Sequence, residues 1–163
     1  MSTTTRRPLL DLLAVFLAGC ATLLFEITNT KIFEFSVWSN YAYLVISTAI
    51  FGIGLSGVLL TRWPGLLRLP ERVFLPATAF LCGVTMFIAF LVTNFVPVHL
   101  PPDPAIIGRE LTCLAVVFLA LGLPFLMFGL MISYLFEHRS ESANVYYFAD
   151  LVGAGLGSFI IVP

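Results

Sequence analysis

A polar stripe within the first apolar segment carries the residue types that could move an ion or a proton. Its members recur every three to four residues: Thr22, Glu26, Asn29, Thr30 and Glu34. This spacing puts them on one face of a helix. Carboxyl, amide and hydroxyl groups in series can form a proton or ion path through a membrane. The same groups can instead form hydrogen bonds between helices that specify packing, and we favour this second interpretation.

A second acidic residue lies in the last apolar segment, on a helix face that it shares with small residues. Tyr146, Asp150, Gly153 and Gly157 follow i, i+4, i+7 and i+11, so they lie on one face. Gly153 and Gly157 form a GxxxG pair, which predicts close packing against another helix. The spacing leaves open whether that helix belongs to the same chain.

In the functional interpretation, a path for an ion, a proton or a polar substrate runs through Glu26, Asn29 and Asp150. Lys31 lies three residues before Glu34, within reach for an ion pair on the helix surface. We expect this pair near the outer headgroups, at the far end of the first segment.

Residues 52–57 match the dinucleotide-binding pattern GxGxxG letter for letter. That pattern binds a pyrophosphate only in a strand-to-helix turn. Here it lies in the middle of an apolar segment, where such a turn would leave backbone groups unsatisfied in lipid. Its glycines, Gly52 in particular, and Ser56 therefore predict a smooth helix-packing face, and Gly129 predicts a similar face in the fourth segment.

The sequence predicts no cofactor, no metal site and no catalytic constellation. Cys20, Cys82 and Cys113 lie singly in apolar runs and form no CxxC motif, which argues against zinc and against a disulfide framework. His99 and His138 are both expected in loops, so no axial haem ligand lies in a span. A net charge of -1 offers no basic surface for nucleic acid.

Composition then determines which elements must position these residues. Hydrophobic residues make up 60% of the chain and charged residues 10%, whereas soluble domains carry about 25% charged residues. We predict an all-α, polytopic transmembrane bundle in a single domain, residues 1–163, with membrane lipids and other transmembrane helices as partners. About five spans are expected, and they cover residues 9–35, 41–60, 73–96, 111–136 and 143–163. The last span reaches Pro163 without a polar tail, so we expect the N-terminal part of a longer membrane domain.

Basic residues predict the orientation of these spans. Six arginines fall on one side of the topology: Arg6, Arg7, Arg62, Arg68, Arg72 and Arg139. Only Arg109 falls on the other side, and the positive-inside rule therefore predicts a cytoplasmic N-terminus. The expected location is the bacterial inner membrane.

Four stretches of the sequence match the motifs of one kind of membrane protein. Residues 24–33 are similar to the motif LEI-x-x-T-R-L-F, with Lys31 in place of the arginine, and so resemble the start of multi-pass proteins related to spermidine synthase. Residues 43–57 and 123–129 look like their second and fourth spans. Residues 147–157, YFADLVGAGLG, are similar to their signature Y-F-A-D-L-x-G-A-x-L-G.

This resemblance implies a membrane domain of more than five spans. In larger members that domain is joined to a soluble, Rossmann-like aminopropyltransferase or methyltransferase domain, which binds S-adenosylmethionine-type cofactors. No residue of that soluble domain is present in these 163 residues.

The favoured hypothesis is a non-catalytic membrane subunit that packs against other transmembrane helices in a larger bacterial complex. Two alternatives stay open. The first is the membrane anchor of an aminopropyltransferase-like or methyltransferase-like fusion enzyme. The second is a transporter of an ion or small molecule that uses Glu26 and Asp150.

Overall fold

A computed structural model describes residues 8–36, 42–96 and 107–161, and these residues form five long helices. The helices are α1 (Pro8–Ser36), α2 (Ala42–Arg62), α3 (Glu71–Phe95), α4 (Ile107–His138) and α5 (Ala143–Ile161). Short 3-10 turns at Leu66–Arg68 and Ser140–Ser142 precede α3 and α5. All five helices are long and apolar enough to cross a membrane. The predicted all-α bundle of five spans is therefore confirmed.

The helices extend beyond the apolar stretches that predict them. α4 begins at Ile107 rather than near residue 111, because Arg109 and Glu110 are helix-compatible although they are polar. The same extension makes His138 the last residue of α4, so its predicted place in a loop is wrong. The remaining expectations for Arg6, Arg7, His99 and Pro163 concern residues outside the described part of the chain.

α4 lies at the centre of the bundle. Of its spanning segment, 56% is buried inside the protein, against 17% for α1 and for α5. α4 packs along α2 on one side and along α3 on another, and α5 packs almost wholly against α1. The buried face of α4 includes Leu121, Phe125 and Tyr134. The molecule therefore has a core around α4 and an α1–α5 pair beside it.

Large apolar side chains cover the outside of the bundle. Phe80, Phe87 and Phe95 on α3, and Phe148 and Phe159 on α5, are all more than half exposed. A water-soluble surface rarely carries so many contiguous apolar groups. Lipid is the solvent that suits such a surface, which agrees with five membrane-spanning helices.

Candidate functional site

The contact between α1 and α5 is built on the two glycines of the GxxxG pair. A methyl group at Gly153 would overlap the backbone carbonyl oxygen of Phe16, and one at Gly157 would lie 2.5 Å from that of Cys20. The helix that packs on this face is thus α1 of the same chain. We call this close contact between α1 and α5 the α1–α5 seam. Such close approach lets Cα–H groups contact carbonyl oxygens of the facing helix, which is typical of helix pairs in membranes.

Asp150 lies in the same seam, against a residue that the sequence did not single out. A methyl group at Gly19 would overlap the Asp150 carboxyl and would lie 3.0 Å from its backbone carbonyl oxygen, so a side chain there would require Asp150 to move. Gly19 is therefore the counterpart of Gly153 and Gly157 on α1. Its place beside Ala18 and Cys20, in a run of small residues, was the available indication.

Glu26 lies on the face of α1 that turns toward the bundle. The buried residues Thr22 and Asn29 flank it at four and three residues, which is the spacing of one helix face. Among the described residues, none donates a hydrogen bond to the Glu26 carboxyl or forms an ion pair with it. Glu26 is only partly buried. It is thus a carboxyl on an inward face that the described helices leave incompletely covered.

The other members of the polar stripe bond to their own helix. The Thr22 hydroxyl donates to the Ala18 carbonyl at 2.8 Å, the Asn29 amide to the Phe25 carbonyl at 2.8 Å, and the Thr30 hydroxyl to the Glu26 carbonyl at 2.8 Å. Hydroxyl and amide side chains within helices commonly form such bonds. The expected hydrogen bonds between helices are thus replaced, at these three residues, by bonds within α1.

Lys31 and Glu34 form the ion pair that their spacing indicates, with 3.3 Å between Nζ and Oε2. Both side chains are about half exposed, at 58% and 45%. An exposed pair of this kind contributes little to stability.

The structure does not bring Glu26 and Asp150 together. Asp150 packs at the level of Gly19, seven residues before Glu26, and this separation is about 10 Å along the axis of α1. Thr22 lies between those levels, and its hydroxyl donates to the backbone of its own helix. No chain of described side chains therefore links the two carboxyl groups.

A second glycine seam joins α2 to α4. A methyl group at Gly52 would lie 2.6 Å from the Gly122 carbonyl oxygen, and one at Gly129 would clash with the Ser56 side chain. Ser56 is fully buried and its hydroxyl donates to the Ile53 carbonyl at 2.6 Å. By contrast, Gly54 and Gly57 of the same motif face open space. Of the small residues in 52–57, Gly52 and Ser56 therefore lie in the packing face, and Gly54 and Gly57 do not.

An ion cluster at one end of the bundle was not predicted from the sequence. Arg139, between α4 and α5, contacts the Asp11 carboxylate at 2.8 Å and also forms an ion pair with Glu71. Its second nitrogen donates a hydrogen bond to the Tyr146 hydroxyl, and its guanidinium lies 5.4 Å from the centre of the Tyr146 ring. We call these four residues the Arg139 cluster. It connects α1, α3 and α5 at a single cation.

The pKa of Arg139 reflects two opposing effects. Burial lowers the pKa of the guanidinium, but the negative charge of Glu71, the Tyr146 hydroxyl and the charge of Asp11 together outweigh that burial. The pKa of Arg139 is therefore raised above its ordinary value, and the cation is held at the cluster.

An aromatic stack stands beside the Arg139 cluster. The Tyr134 ring lies 4.2 Å from that of Phe74 and 4.1 Å from that of His138, and both pairs are stacked. The Tyr134 hydroxyl donates to the Leu69 carbonyl at 2.7 Å. This stack connects the last turns of α4 to the turn before α3.

No group of three or more His, Cys, Asp or Glu residues in the described ranges could hold a metal ion. The three cysteines are free thiols. Cys82 is buried and its Sγ donates to the carbonyl of Pro124 at 3.5 Å.

Comparison with protein-family models, with curated proteins and with solved structures found no match. The resemblance to spermidine-synthase-related membrane proteins stays a prediction.

Proposed function

We propose that this chain is a non-catalytic membrane subunit or domain that packs against further transmembrane helices. The observation that carries the proposal is the Glu26 carboxyl, which lies on the inward face of α1 without a hydrogen-bonding partner among the described side chains. Glu26 is about 25 Å along α1 from Leu9, inside a hydrocarbon layer of about 30 Å. A carboxyl group at that depth is costly unless a donor meets it. A helix of another subunit or domain would supply that donor.

The geometry favours docking over transport. A proton or ion path through Glu26 and Asp150 needs polar groups that bridge about 10 Å, and Thr22 between them is already bonded to α1. A docking site needs only one open carboxyl. The two glycine seams also support the docking proposal. They fix α1 against α5 and α2 against α4, so the surface around Glu26 has a defined position.

Co-purification in a mild detergent tests the proposal, with Glu26→Leu as the probe and Glu34→Leu as its matched control. We expect a partner polypeptide to be retained by the native chain and by Glu34→Leu, because the Glu34 pair is exposed. Glu26→Leu should reduce the retained partner about tenfold, which corresponds to about 1.4 kcal/mol. A native chain that elutes as a monodisperse, partner-free protein contradicts the proposal.

We also propose that α1 enters the membrane from the cytoplasm, in a bacterial inner membrane. The end of the bundle with Arg62, Arg68, Arg72 and Arg139, here called the arginine-bearing end, carries most of the basic residues. Lys31 and Arg109 belong to the other end. Fusing green fluorescent protein to the N-terminus should give fluorescent cells, whereas a dark fusion on an inserted protein would reverse the orientation.

The anchor and transporter alternatives have their own discriminating measurements. The anchor function rests on the resemblance of residues 147–157 to spermidine-synthase-related proteins, and an intact natural mass near 17.9 kDa would remove it. The transporter function requires both carboxyl groups. Flux in proteoliposomes that survives both Glu26→Gln and Asp150→Asn would remove that alternative.

A further inference from the structure

A groove runs between α1 and α3, with α4 as its floor. α1 and α3 scarcely touch one another, although both pack on α4. Two cavities of about 310 Å³ and 180 Å³ lie between them and share Ala14, Ala79 and Met131 in their walls. The two cavities adjoin at these shared residues, and we call them together the α1–α3 groove.

The walls of the larger cavity are mostly apolar, and several of their residues are small. Ala14, Ala18 and Ala21 line it from α1, and Ala79 and Gly83 line it from α3. The only hydroxyl in the wall belongs to Thr78, which donates to the carbonyls of Phe74 and Leu75 at 2.9 and 3.0 Å. The wall of the larger cavity therefore has no unmet hydrogen-bonding group, and this part of the groove suits an apolar occupant.

The groove is open to the outside of the bundle, because Ala14, Ala79 and Gly83 in its walls are exposed. A hydrocarbon chain is flexible and narrower than a helix, which is about 10 Å wide. It is also the apolar group that the lipid around the bundle supplies.

One end of the groove reaches the Arg139 cluster. Asp11 lines the smaller cavity and also contacts Arg139. The cluster holds one cation and two carboxylates, so its net charge is negative, and the Asp11 and Glu71 side chains are 24% and 35% exposed. Arg72, next to Glu71, is exposed at the same end. An excess carboxylate beside an exposed arginine complements a headgroup that carries both an ammonium and a phosphate.

We propose that the α1–α3 groove binds one acyl chain of a phospholipid with a primary-amine headgroup, of the phosphatidylethanolamine type. The chain lies between α1 and α3, and the ammonium donates hydrogen bonds to the carboxylates of the Arg139 cluster. The phosphate lies toward Arg72. This site does not depend on the proposed docking role of Glu26, which lies at a different level of α1.

Lipid titration followed by native mass spectrometry tests the site, with phosphatidylethanolamine, phosphatidylcholine and phosphatidylglycerol of identical chains. The delipidated native chain should bind phosphatidylethanolamine at least fivefold more tightly than phosphatidylcholine, whose quaternary ammonium has no N–H donor. Equal binding of all three lipids would overturn the assignment of the headgroup.

Gly83→Leu tests the chain position, and Gly54→Leu is its matched control. An added Cβ atom would have no neighbour within 4 Å at either glycine, but only Gly83 lines the groove. Gly83→Leu should weaken lipid binding about tenfold, whereas Gly54→Leu should bind like the native chain. Equal lipid binding by both variants overturns the proposal, and so does a polypeptide that the native chain retains and Gly83→Leu loses.

Asp11→Asn tests the headgroup position separately. This variant should still bind phospholipid but should lose the preference for phosphatidylethanolamine over phosphatidylcholine. A preference that survives both Asp11→Asn and Glu71→Gln would place the ammonium elsewhere and overturn this part of the proposal. Circular dichroism of each variant separates loss of binding from loss of folding, and Ala79→Leu replaces Gly83→Leu if the latter fails to fold.

Discussion

At the scale of single residues, Arg139 contacts more helices than any of the polar residues that the sequence predicted as site residues. It reaches Asp11 on α1, Glu71 on α3 and Tyr146 on α5. The guanidinium suits this task because its planar set of N–H groups can serve several acceptors at once. Without the cation, two carboxylates would face each other at this end of the bundle.

Replacing Arg139 with alanine should lower the free energy of unfolding by about 1–2 kcal/mol, because hydrogen bonds to charged groups are lost and the carboxylates repel. Arg139→Lys should recover only part of that loss, since lysine cannot form the same set of bonds. Denaturation in mild detergent measures both variants. Arg62→Ala, at an exposed arginine on the same end, is the control and should change stability little. An equal loss in both alanine variants would show that the cluster contributes nothing.

The glycines of α5 differ sharply in what surrounds them. Gly153→Ala should lower the free energy of unfolding by about 1–3 kcal/mol, because the new methyl group overlaps the Phe16 carbonyl and pushes α1 away from α5. Gly155→Ala lies two residues away in open space and should be neutral or should stabilise the helix by up to about 1 kcal/mol. Thermal unfolding in detergent compares the pair. Similar midpoints for the two variants would contradict this close contact.

At the scale of elements, the seam between α2 and α4 is asymmetric. A methyl group at Gly52 would press on the α4 backbone at 2.6 Å, whereas one at Gly122 would find the Thr48 carbonyl at 3.8 Å, an ordinary contact distance. The two facing glycines thus have different roles. The absence of a side chain at Gly52 allows α2 and α4 to pack closely, whereas Gly122 contributes only its backbone carbonyl to the contact.

Gly52→Ala should therefore destabilise the protein by about 1–3 kcal/mol, while Gly122→Ala should leave stability unchanged or slightly higher. Chemical denaturation followed by tryptophan fluorescence can report both values. If Gly122→Ala were the more damaging of the two, α2 and α4 would have to pack in another register.

The elements were largely predictable from the sequence, whereas their pairings were not. Apolar length predicts five helices because lipid leaves the backbone no other partner, and small residues at helical spacing indicate faces such as that of Gly153 and Gly157. The Arg139 cluster was missed because Arg139 and Glu71 are 68 residues apart. Loop position suggested only that Arg139 marks one side of the membrane. Nothing in local spacing shows which carboxylates fold back to meet it.

The start of α4 shows a second limit of the sequence. Hydropathy measures where a helix can be buried in lipid, whereas the helix itself needs only compatible backbone angles and hydrogen bonds. Gly108 and the polar residues Arg109 and Glu110 therefore extend α4 back to Ile107. Likewise, the hydroxyls of the polar stripe were assigned to neighbouring helices, but a bond to the carbonyl one turn earlier satisfies them without any neighbour.

At the scale of the whole molecule, the two glycine seams are separate. The α1–α5 seam involves Phe16, Cys20, Gly153 and Gly157, and the α2–α4 seam involves none of these residues. Energetic effects at sites without shared partners usually add.

In the double variant Gly153→Ala/Gly52→Ala, the free energy of unfolding should fall by the sum of the decreases in the two single variants, to within about 0.5 kcal/mol. A double-mutant cycle on the free energy of unfolding measures the difference. A coupling well above that value would mean that strain passes from one seam to the other, and the molecule would then respond as a single packing unit.

The pairing of α1 with α5 also determines when this part of the bundle can form during synthesis. α1 has its closest partner among the described helices in α5, and at about 5–20 residues per second roughly 7–27 s separate Phe16 from Gly153. During that interval the carbonyl groups of Phe16 and Cys20, and the gap beside Gly19, are open to other helices in the membrane. Contacts so distant along the chain form late. A nascent chain interrupted before α5 would expose a ready-made seam, on which the quality-control machinery of the membrane could act.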